Sequence, residues 1–328
     1  MPAHVAVLLR EAVEALAIRP DGVYVDGTFG RGGHARAILA QLGERGRLVA
    51  VDRDADAEAS AHLVDDPRFV FRRAWFSALP DVLDGLGIAR IDGVLLDLGV
   101  SSPQLDTPAR GFTYRDDGPL DMRMDTSRGE TAAQFIARAD VDELAEVIRD
   151  YGEERFARAV ATAIATARER APIVTTRELA RIVAQAIGAR TRGDWRQDPA
   201  ARTFQALRIA VNRELAEIRD ALPQLTARLA TGGRIAVISF HSLEDRLVKR
   251  FFAFASKPYG DDADIARLPI AESALPVAPL TLVGRAIKPS AEEIASNPRA
   301  RSAVLRVAQR TEAPLPSNWP RGFEGTLA

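Results

Sequence analysis

The chain of 328 residues contains no cysteine, and no apolar run in it is long enough to span a bilayer. The absence of cysteine excludes disulfides, thiolate zinc sites, iron–sulfur clusters and a cysteine nucleophile. The four histidines, His4, His34, His62 and His241, do not follow a metal-ligand spacing, so we expect no structural metal. The beginning of the chain also lacks the pattern of a secretory signal, which favours a cytoplasmic protein.

Lysine is nearly absent as well, and the positive charge is carried almost entirely by arginine. The net charge of −1 argues against a protein that coats nucleic acid with its whole surface. Between Arg155 and Arg213, however, twelve arginines stand against four acidic residues, an excess of eight positive charges. Arginine forms forked contacts with phosphate, so this segment indicates either a phosphate-binding surface or a solvated helical face.

The first hundred residues alternate between strand and helix patterns. Strand candidates at 23–26, 47–52, 69–71 and 93–97 alternate with helix candidates at 35–42, 54–63 and 77–86. Each pair of parallel strands needs a crossover connection, and helices supply it. The pattern therefore predicts an α/β fold with a mostly parallel, doubly wound sheet and helices on both faces.

After residue 101 this alternation stops. A loop at 103–129 precedes helical segments at about 130–138, 141–150, 152–170, 175–188 and 200–221. The strand and helix pattern resumes at 234–239 and 243–255, followed by an irregular loop at 256–285, a short helix near 289–295 and a last strand at 302–308. We therefore expect an α/β domain at 1–106 and 214–310, an inserted helical domain for substrate recognition at 107–213, and a disordered tail at 311–328.

A glycine-rich turn, Asp26-Gly-Thr-Phe-Gly-Arg-Gly-Gly-His34, joins the first strand to the first helix of this pattern. Its glycines let the backbone turn sharply and let a ligand approach main-chain N–H groups. A pyrophosphate would meet the Asp26 carboxylate there, whereas a cation such as S-adenosylmethionine would be attracted to it. The turn also fits the dinucleotide fingerprint, so an NAD-dependent dehydrogenase is the rival interpretation, and Asp26 argues against it.

Polar residues end the other strands, where ligands bind in open parallel sheets. Asp52 could accept two hydrogen bonds from a ribose diol or cap the helix that follows. Phe76 could pack on an adenine face or in the core. His241, after strand 234–239, could be catalytic or a structural hydrogen-bonding residue, and Ser242 beside it resembles a helix N-cap.

Several motifs together resemble the bacterial RsmH (MraW) family of 16S ribosomal RNA cytosine-N4 methyltransferases. They span about residues 4–310 and comprise 4–12 (HVAVLLREA), 26–34 (DGTFGRGGH), 95–106 (LLDLGVSSPQLD), 118–125 (GPLDMRMD), 151–156 (YGEERF), 202–208 (RTFQALR), 239–246 (SFHSLEDR) and 297–302 (NPRARS). The resemblance implies a class I (Rossmann-like) methyltransferase fold, S-adenosyl-L-methionine as cofactor, and a cytidine of 16S rRNA within the small ribosomal subunit as substrate. It places cofactor contacts on Gly32, Gly33, His34, Asp52, Phe76, Asp97 and Gln104.

The residues agree with amine methylation. Methylation of cytosine at C5 needs a cysteine nucleophile, which this chain lacks, whereas an exocyclic amine attacks the methyl group directly and needs only positioning and a proton acceptor. We expect the acceptor to be Asp97, a backbone carbonyl at 101–103, or His241, in that order.

The target base must be unstacked, and aromatic residues on the inserted segment could hold it. Candidate substrate contacts are Phe112, Tyr114, Arg123, Arg202 and Arg208, although the aromatic rings could instead pin their loop and Arg123 could pair with Asp121. A nonenzymatic ribosome-assembly factor is a third interpretation, and a homodimer stays open.

Overall fold

The computed structural model describes residues 6–188, 198–258, 277–317, 319 and 323. The chain divides into two compact units: Met1–Gly99 with Leu215–Ala328, which we call the sheet unit, and Val100–Glu214, which we call the helical unit. The domain boundaries expected from the sequence, after residues 106 and 213, stay a prediction. Every helix among the described residues is too short or too polar to cross a lipid bilayer.

The sheet unit contains a seven-stranded sheet within the described residues. Its strands are β1 (Val23–Asp26), β2 (Arg47–Asp52), β3 (Phe69–Arg73), β4 (Ile91–Asp97), β5 (Leu229–Ser239), β6 (Leu280–Leu282) and β7 (Val304–Arg310). The strand order is β3-β2-β1-β4-β5-β7-β6. Strands β1 to β5 are parallel, and β7 pairs antiparallel with both β5 and β6. The predicted α/β fold with a mostly parallel, Rossmann-like sheet is confirmed.

The helices, in chain order, are α1 (Leu9–Ala15), α2 (Gly33–Leu39), α3 (Ala55–Ala61), α4 (Leu79–Gly85), α5 (Ser102–Asp106), α6 (Ala132–Arg138), α7 (Val141–Gly152), α8 (Ala157–Arg168), α9 (Thr176–Gly188), α10 (Ala200–Asn212), α11 (Glu214–Arg228), α12 (Ser242–Ala255) and α13 (Ala291–Ser296). Short 3₁₀ turns lie at Phe76–Ala78, Pro108–Arg110 and Pro298–Ser302.

Side chains alternate along each strand, so successive residues point to opposite faces of the sheet, and both faces are buried. Val25, Val94 and Ile235 point into a core that contains residues of α4, α11 and α12. Tyr24 and Leu95 point into the opposite core, which contains residues of α1 and α2. The strands are thereby fixed on both sides, so their carboxyl ends form a rigid edge.

Two predictions about helices and strands were wrong. The segment at 200–221 was expected to be one helix, but α10 ends at Asn212 and Arg213 adopts a left-handed conformation with φ 51° before α11 begins. Strand β6 lies in the stretch expected to be an irregular loop, and α1 was not predicted. The middle of that expected loop, 259–276, lies outside the described residues.

The tail contains two residues that are packed rather than loose. Trp319 lies against Phe251 and Phe254, with ring centroids 5.9 and 6.1 Å apart, and its Nε1 donates to the Pro223 carbonyl at 3.1 Å. Phe323 is 1% exposed and its ring contacts the same two phenylalanines. The expectation of a disordered tail therefore does not hold at these two positions.

Candidate functional site

Three neighbouring parallel strands of the sheet unit end in aspartate. Asp26 ends β1, Asp52 ends β2 and Asp97 ends β4, with β1 in the middle. Asp26 is in register with Ala50 on one side and Leu95 on the other, so the three strands end at one edge of the sheet. This is the edge at which ligands bind in open α/β sheets.

The glycine-rich turn follows β1 at this edge. At Gly27 a Cβ atom would lie 2.4 Å from Leu96 Cδ2, so a side chain there would have to displace the buried Leu96. Gly30 and Gly32 have φ values of 53° and 73°, which favour glycine. A Cβ at Gly30 would meet nothing closer than 3.9 Å, so this part of the turn faces open space that a ligand could use.

Asp52 holds the glycine turn against the end of β2. Its Oδ2 accepts a hydrogen bond from Gly30 N at 2.8 Å, and its Oδ1 accepts one from Asp54 N at 2.9 Å. The N-cap of α3 is Asp54, whose Oδ1 accepts from Asp56 N at 3.0 Å, so Asp52 is not the helix cap. Burial raises the pKa of Asp52 although both backbone donors act in the opposite direction.

Asp97 carries a buried oxygen that has no hydrogen-bond partner among the described residues. Its backbone N donates to Thr28 Oγ1 at 2.6 Å, which ties the end of β4 to the glycine turn. Its Oδ2 lies 3.7 Å from His34 Nδ1, whereas its Oδ1 is buried without a hydrogen bond. Burial raises the pKa of Asp97 well above 3.8, and the charges of Asp26 and Glu244 raise it further.

Asp26 shares this electrostatic environment. The side chain is 1% exposed, and Thr28 N donates to its Oδ1 at 3.1 Å. Burial raises the pKa of Asp26 to about 7; the hydrogen bond from Thr28 opposes this rise and the charge of Asp52 adds to it. Buried carboxyl groups that repel one another in this way are stabilised by a cation placed among them.

Phe76 stands on the 3₁₀ turn after β3. It is partly buried against the core that contains α4 and α11, and its Cβ is 3.4 Å from the position that a Cβ at Gly27 would take. The next residue, Ser77, donates from Oγ to Glu217 Oε1 at 2.9 Å and from N to Oε2 at 3.4 Å. Sequence reasoning missed Glu217, because it lies 140 positions from Ser77 and no local pattern marks the pair.

His241 is the N-cap of α12, and the expectation that Ser242 has this role was wrong. Its Nδ1 accepts from Glu244 N at 3.4 Å, and its Nε2 is 3.1 Å from Glu244 Oε1. Glu244 Oε2 in turn accepts from Phe240 N at 2.8 Å. Both ring nitrogens of His241 thus face one residue of its own capping box, which gives it a structural function; its catalytic function stays a prediction.

The remaining predicted residues lie in the helical unit. Gln104 is 5% exposed and accepts at Oε1 from Ser101 N at 2.8 Å, which forms a capping box at α5. Phe112 is 6% exposed in the core of this unit, where a base could not stack on it without rearrangement. Tyr114 packs edge-on against Phe204, with ring centroids 5.5 Å apart. Contacts of these residues with cofactor or base stay predictions.

The three arginines predicted to bind substrate have partners within the helical unit. Arg123 pairs with Asp121 through two hydrogen bonds of 2.8 and 2.9 Å, the structural alternative considered above. Arg208 pairs with Glu214 in the same way at 2.9 and 2.8 Å, and its side chain is 16% exposed. Arg202 is exposed and donates to the Glu153 carbonyl at 2.9 Å. Of the three, Arg202 could most easily turn towards a phosphate.

Comparison with known proteins gives matches along most of the chain. Residues 1–311 match the sequence model of the MraW methylase family. The ribosomal RNA small subunit methyltransferase H of Neisseria meningitidis serogroup B is 56% identical over 321 residues, which cover 97% of this chain and 96% of that protein. The protein of the same name from Thiobacillus denitrificans is 59% identical over 309 residues, 94% of this chain and 97% of that protein. The solved structure of an rRNA methylase from Streptococcus thermophilus aligns with 94% of this chain and 100% of its own, with 11% identity and a TM-score of 0.41, a similarity too low to assign a function.

Proposed function

The chain belongs to the MraW methylase family, and from this premise we propose that it transfers a methyl group from S-adenosyl-L-methionine to the exocyclic N4 amine of a cytidine in 16S ribosomal RNA. The relatives named above are ribosomal RNA small subunit methyltransferases, which supports ribosomal RNA of the small subunit as the substrate. The observation that carries the chemistry is the group of three aspartates at adjacent strand ends, with Asp97 Oδ1 buried and without a hydrogen-bond partner in the described part of the chain.

The residues present fit this cofactor. S-adenosylmethionine has a sulfonium and an ammonium group, and when bound it supplies a methyl group on a positively charged sulfur. Burial and neighbouring acidic charges raise the pKa values of Asp26 and Asp97, so a positively charged ligand beside these carboxyl groups would be favoured. The open space at Gly30 leaves room beside the backbone. A pyrophosphate would meet the same carboxyl groups with the wrong sign of charge.

We assign the parts of the site as follows. Asp52 keeps lone pairs available beyond its two backbone hydrogen bonds and binds the ribose diol. Phe76 packs on the adenine, and the turn Gly32–His34 lies along the amino-acid part of the donor. Asp97 Oδ1 accepts a hydrogen bond from the donor's ammonium group. The function of Gln104 rests on the family resemblance alone.

Asp97 is our first candidate for the proton acceptor. The amine loses a proton as it attacks the methyl carbon, so an acceptor within hydrogen-bond reach is needed. Thr28 fixes the backbone of Asp97 at the end of β4, beside the position assigned to the donor. The rise in its pKa belongs to the site without the donor's positive charges. The backbone carbonyls at 101–103 and His241 are the second and third candidates, and the contacts of His241 with Glu244 favour a structural function for it.

The wider setting follows from the same proposal. Ribosomal subunits are the substrate, so we place the protein in the cytoplasm, with the arginine-rich helical unit as the RNA-binding surface. We expect no structural metal, and a homodimer is compatible with this function. We propose that the helical unit serves as the inserted substrate-recognition domain; the boundaries expected for that domain from the sequence, 107 and 213, stay a prediction.

The decisive experiment combines labelled S-adenosylmethionine with small subunits that lack the modification, and identifies the product by mass spectrometry. We expect N4-methylcytidine at one position, and we expect Asp97→Asn to reduce the rate at least about 100-fold. A product of 5-methylcytidine or a ribose-methylated nucleotide alone would overturn the assigned chemistry.

Two measurements, calorimetry with each cofactor and a subunit-binding assay with labelled donor, separate the rival interpretations. Binding of NAD without binding of S-adenosylmethionine would support the dehydrogenase. Stoichiometric binding to subunits with no transfer of label would support the assembly factor.

A further inference from the structure

We propose that Glu293 is a positioning residue for the cofactor site: it holds the turn Ala6–Leu8, and that turn fixes the orientation and tautomer of His34. The inference rests on the proposed function, because His34 lies on the glycine turn that we assign to the methyl donor. Glu293 belongs to α13, far from the glycine turn in sequence. It is not among the site residues predicted from the sequence motifs.

The first observation is a strong hydrogen bond at a strained position. Leu8 has φ 51° and ψ 34°, a left-handed conformation that a leucine adopts at an energetic cost, and its side chain is fully buried. Leu8 is the N-cap of α1, and its side chain makes no capping hydrogen bond. Its backbone N donates instead to Glu293 Oε1 at 2.7 Å. The carboxylate of Glu293 therefore stabilises a turn that the local sequence does not favour.

The second observation is that this turn contacts the glycine turn at two points. The Val7 carbonyl lies 3.1 Å from His34 Nε2. The Cβ of Ala6 lies only 2.9 Å from the position that a Cβ at Gly33 would take, so the two backbones approach as closely as a glycine allows. A displacement of Ala6–Leu8 must therefore move His34 or open a gap beside it.

The tautomer of His34 follows from the first of these contacts. A carbonyl oxygen only accepts hydrogen bonds, so Nε2 of His34 carries the proton. The ring oriented in this way has its Nδ1 3.7 Å from Oδ2 of Asp97, the residue that we assign to the donor. Glu293 thus acts on the site through the turn and His34, without touching the ligand.

The test uses variants of Glu293 in the full-length protein. Glu293→Ala removes the acceptor for Leu8 N, and we expect the affinity for S-adenosylhomocysteine to fall about tenfold, the effect of losing one oriented hydrogen bond. Glu293→Gln keeps an acceptor oxygen at the same distance, so it should restore most of the affinity. Glu292→Ala is the matched control, because Glu292 is an exposed neighbour on the same helix.

Nitrogen-15 NMR of the histidine rings gives a readout that does not depend on activity. The chain has four histidines, and the signals of His34 can be assigned by their loss in His34→Gln. We expect one tautomer, protonated at Nε2, in the wild type and in Glu293→Gln, and a mixture of tautomers in Glu293→Ala. If Glu293→Ala does not fold, Glu293→Asp, which withdraws the carboxylate by about 1.5 Å, should give a smaller change in the same direction.

The outcomes separate the two proposals. A Glu293→Ala protein with wild-type ring signals and an affinity within twofold of the wild type overturns the positioning inference, even if its melting temperature is lower. A wild-type protein that binds no S-adenosylhomocysteine overturns the proposed function, while the ring signals still show whether Glu293 controls the tautomer.

Discussion

Replacing Asp26 with asparagine isolates the electrostatic cost of the strand-end carboxyl groups, because the two side chains have the same shape and only aspartate ionises. The oxygen of the asparagine can still accept from Thr28 N, which is the hydrogen bond that the structure shows. The variant therefore changes the charge and leaves the local geometry in place. We expect it to be more stable than the wild type at alkaline pH and to bind the methyl donor more weakly.

The sign and size of the expected stability change follow from the pKa of Asp26, which rises from 3.8 to about 7 on folding. A raised pKa means that the protonated carboxyl group favours the folded state, fully below pH 3.8, and that this contribution is lost as the pH rises through about 7. At about 1.36 kcal/mol per unit the whole effect is about 4 kcal/mol, of which about 3 kcal/mol falls between pH 5 and pH 8.5. The asparagine variant, which has no such group, should gain that amount relative to the wild type over the same range.

Urea titrations followed by circular dichroism at about pH 5 and about pH 8.5 measure this difference. Asp66→Asn is the matched control. The Asp66 carboxylate is paired with Arg68, which lowers its pKa below 3.8, so its contribution changes only in more acidic solution. The stability difference between Asp66→Asn and the wild type should therefore be the same at both pH values. If the stability difference between Asp26→Asn and the wild type is also independent of pH, then folding does not raise the pKa of Asp26 as described above.

Three further predictions concern other parts of the molecule. Asp52→Ala should weaken S-adenosylmethionine binding by about 1–3 kcal/mol, because it removes the diol acceptor and frees Gly30 N; unchanged binding in calorimetry would take Asp52 out of the site. Phe323→Ala should lower the free energy of unfolding by about 3–5 kcal/mol in urea titrations, since the ring is 1% exposed, and a loss below about 0.5 kcal/mol would show that the tail is loose in solution. Arg208→Ala should cost about 3–5 kcal/mol by leaving Glu214 buried and unpaired; an unchanged stability together with weaker RNA binding would instead mark Arg208 as a phosphate contact.

The sequence was sufficient for the parts of the fold that repeat a simple pattern. Strands β1, β2 and β4 each finish with an apolar run followed by aspartate, and the alternation with helices left few other topologies. The glycine turn and the three aspartates were predicted for the same reason, because their position follows from the strand ends. The edge strand β6, with three residues, is too short to show a period.

Other features depend on contacts between residues distant in the chain, which no local pattern contains. The helix breaks at Arg213, which adopts a left-handed conformation although it is not glycine. The helical pattern of apolar residues therefore continues across the break, and no glycine marks it. Glu217 and Glu293 look like ordinary helix-surface acids until Ser77 and Leu8 are placed beside them. The N-cap at His241 was missed because Ser242 is the commoner capping residue.

The antiparallel pairing of β7 with β5 has a consequence for how the chain emerges during synthesis. The residues of β5 from Ile235 to Ile238 are fully buried, yet one row of their backbone N–H and C=O groups is satisfied by Val304–Arg310, which the ribosome makes much later. Until then β5 is an exposed, apolar edge strand, which can pair with other nascent chains. A premature stop between Ser239 and Val304 should therefore yield an aggregate rather than a shortened protein, even though every strand-end aspartate is already present.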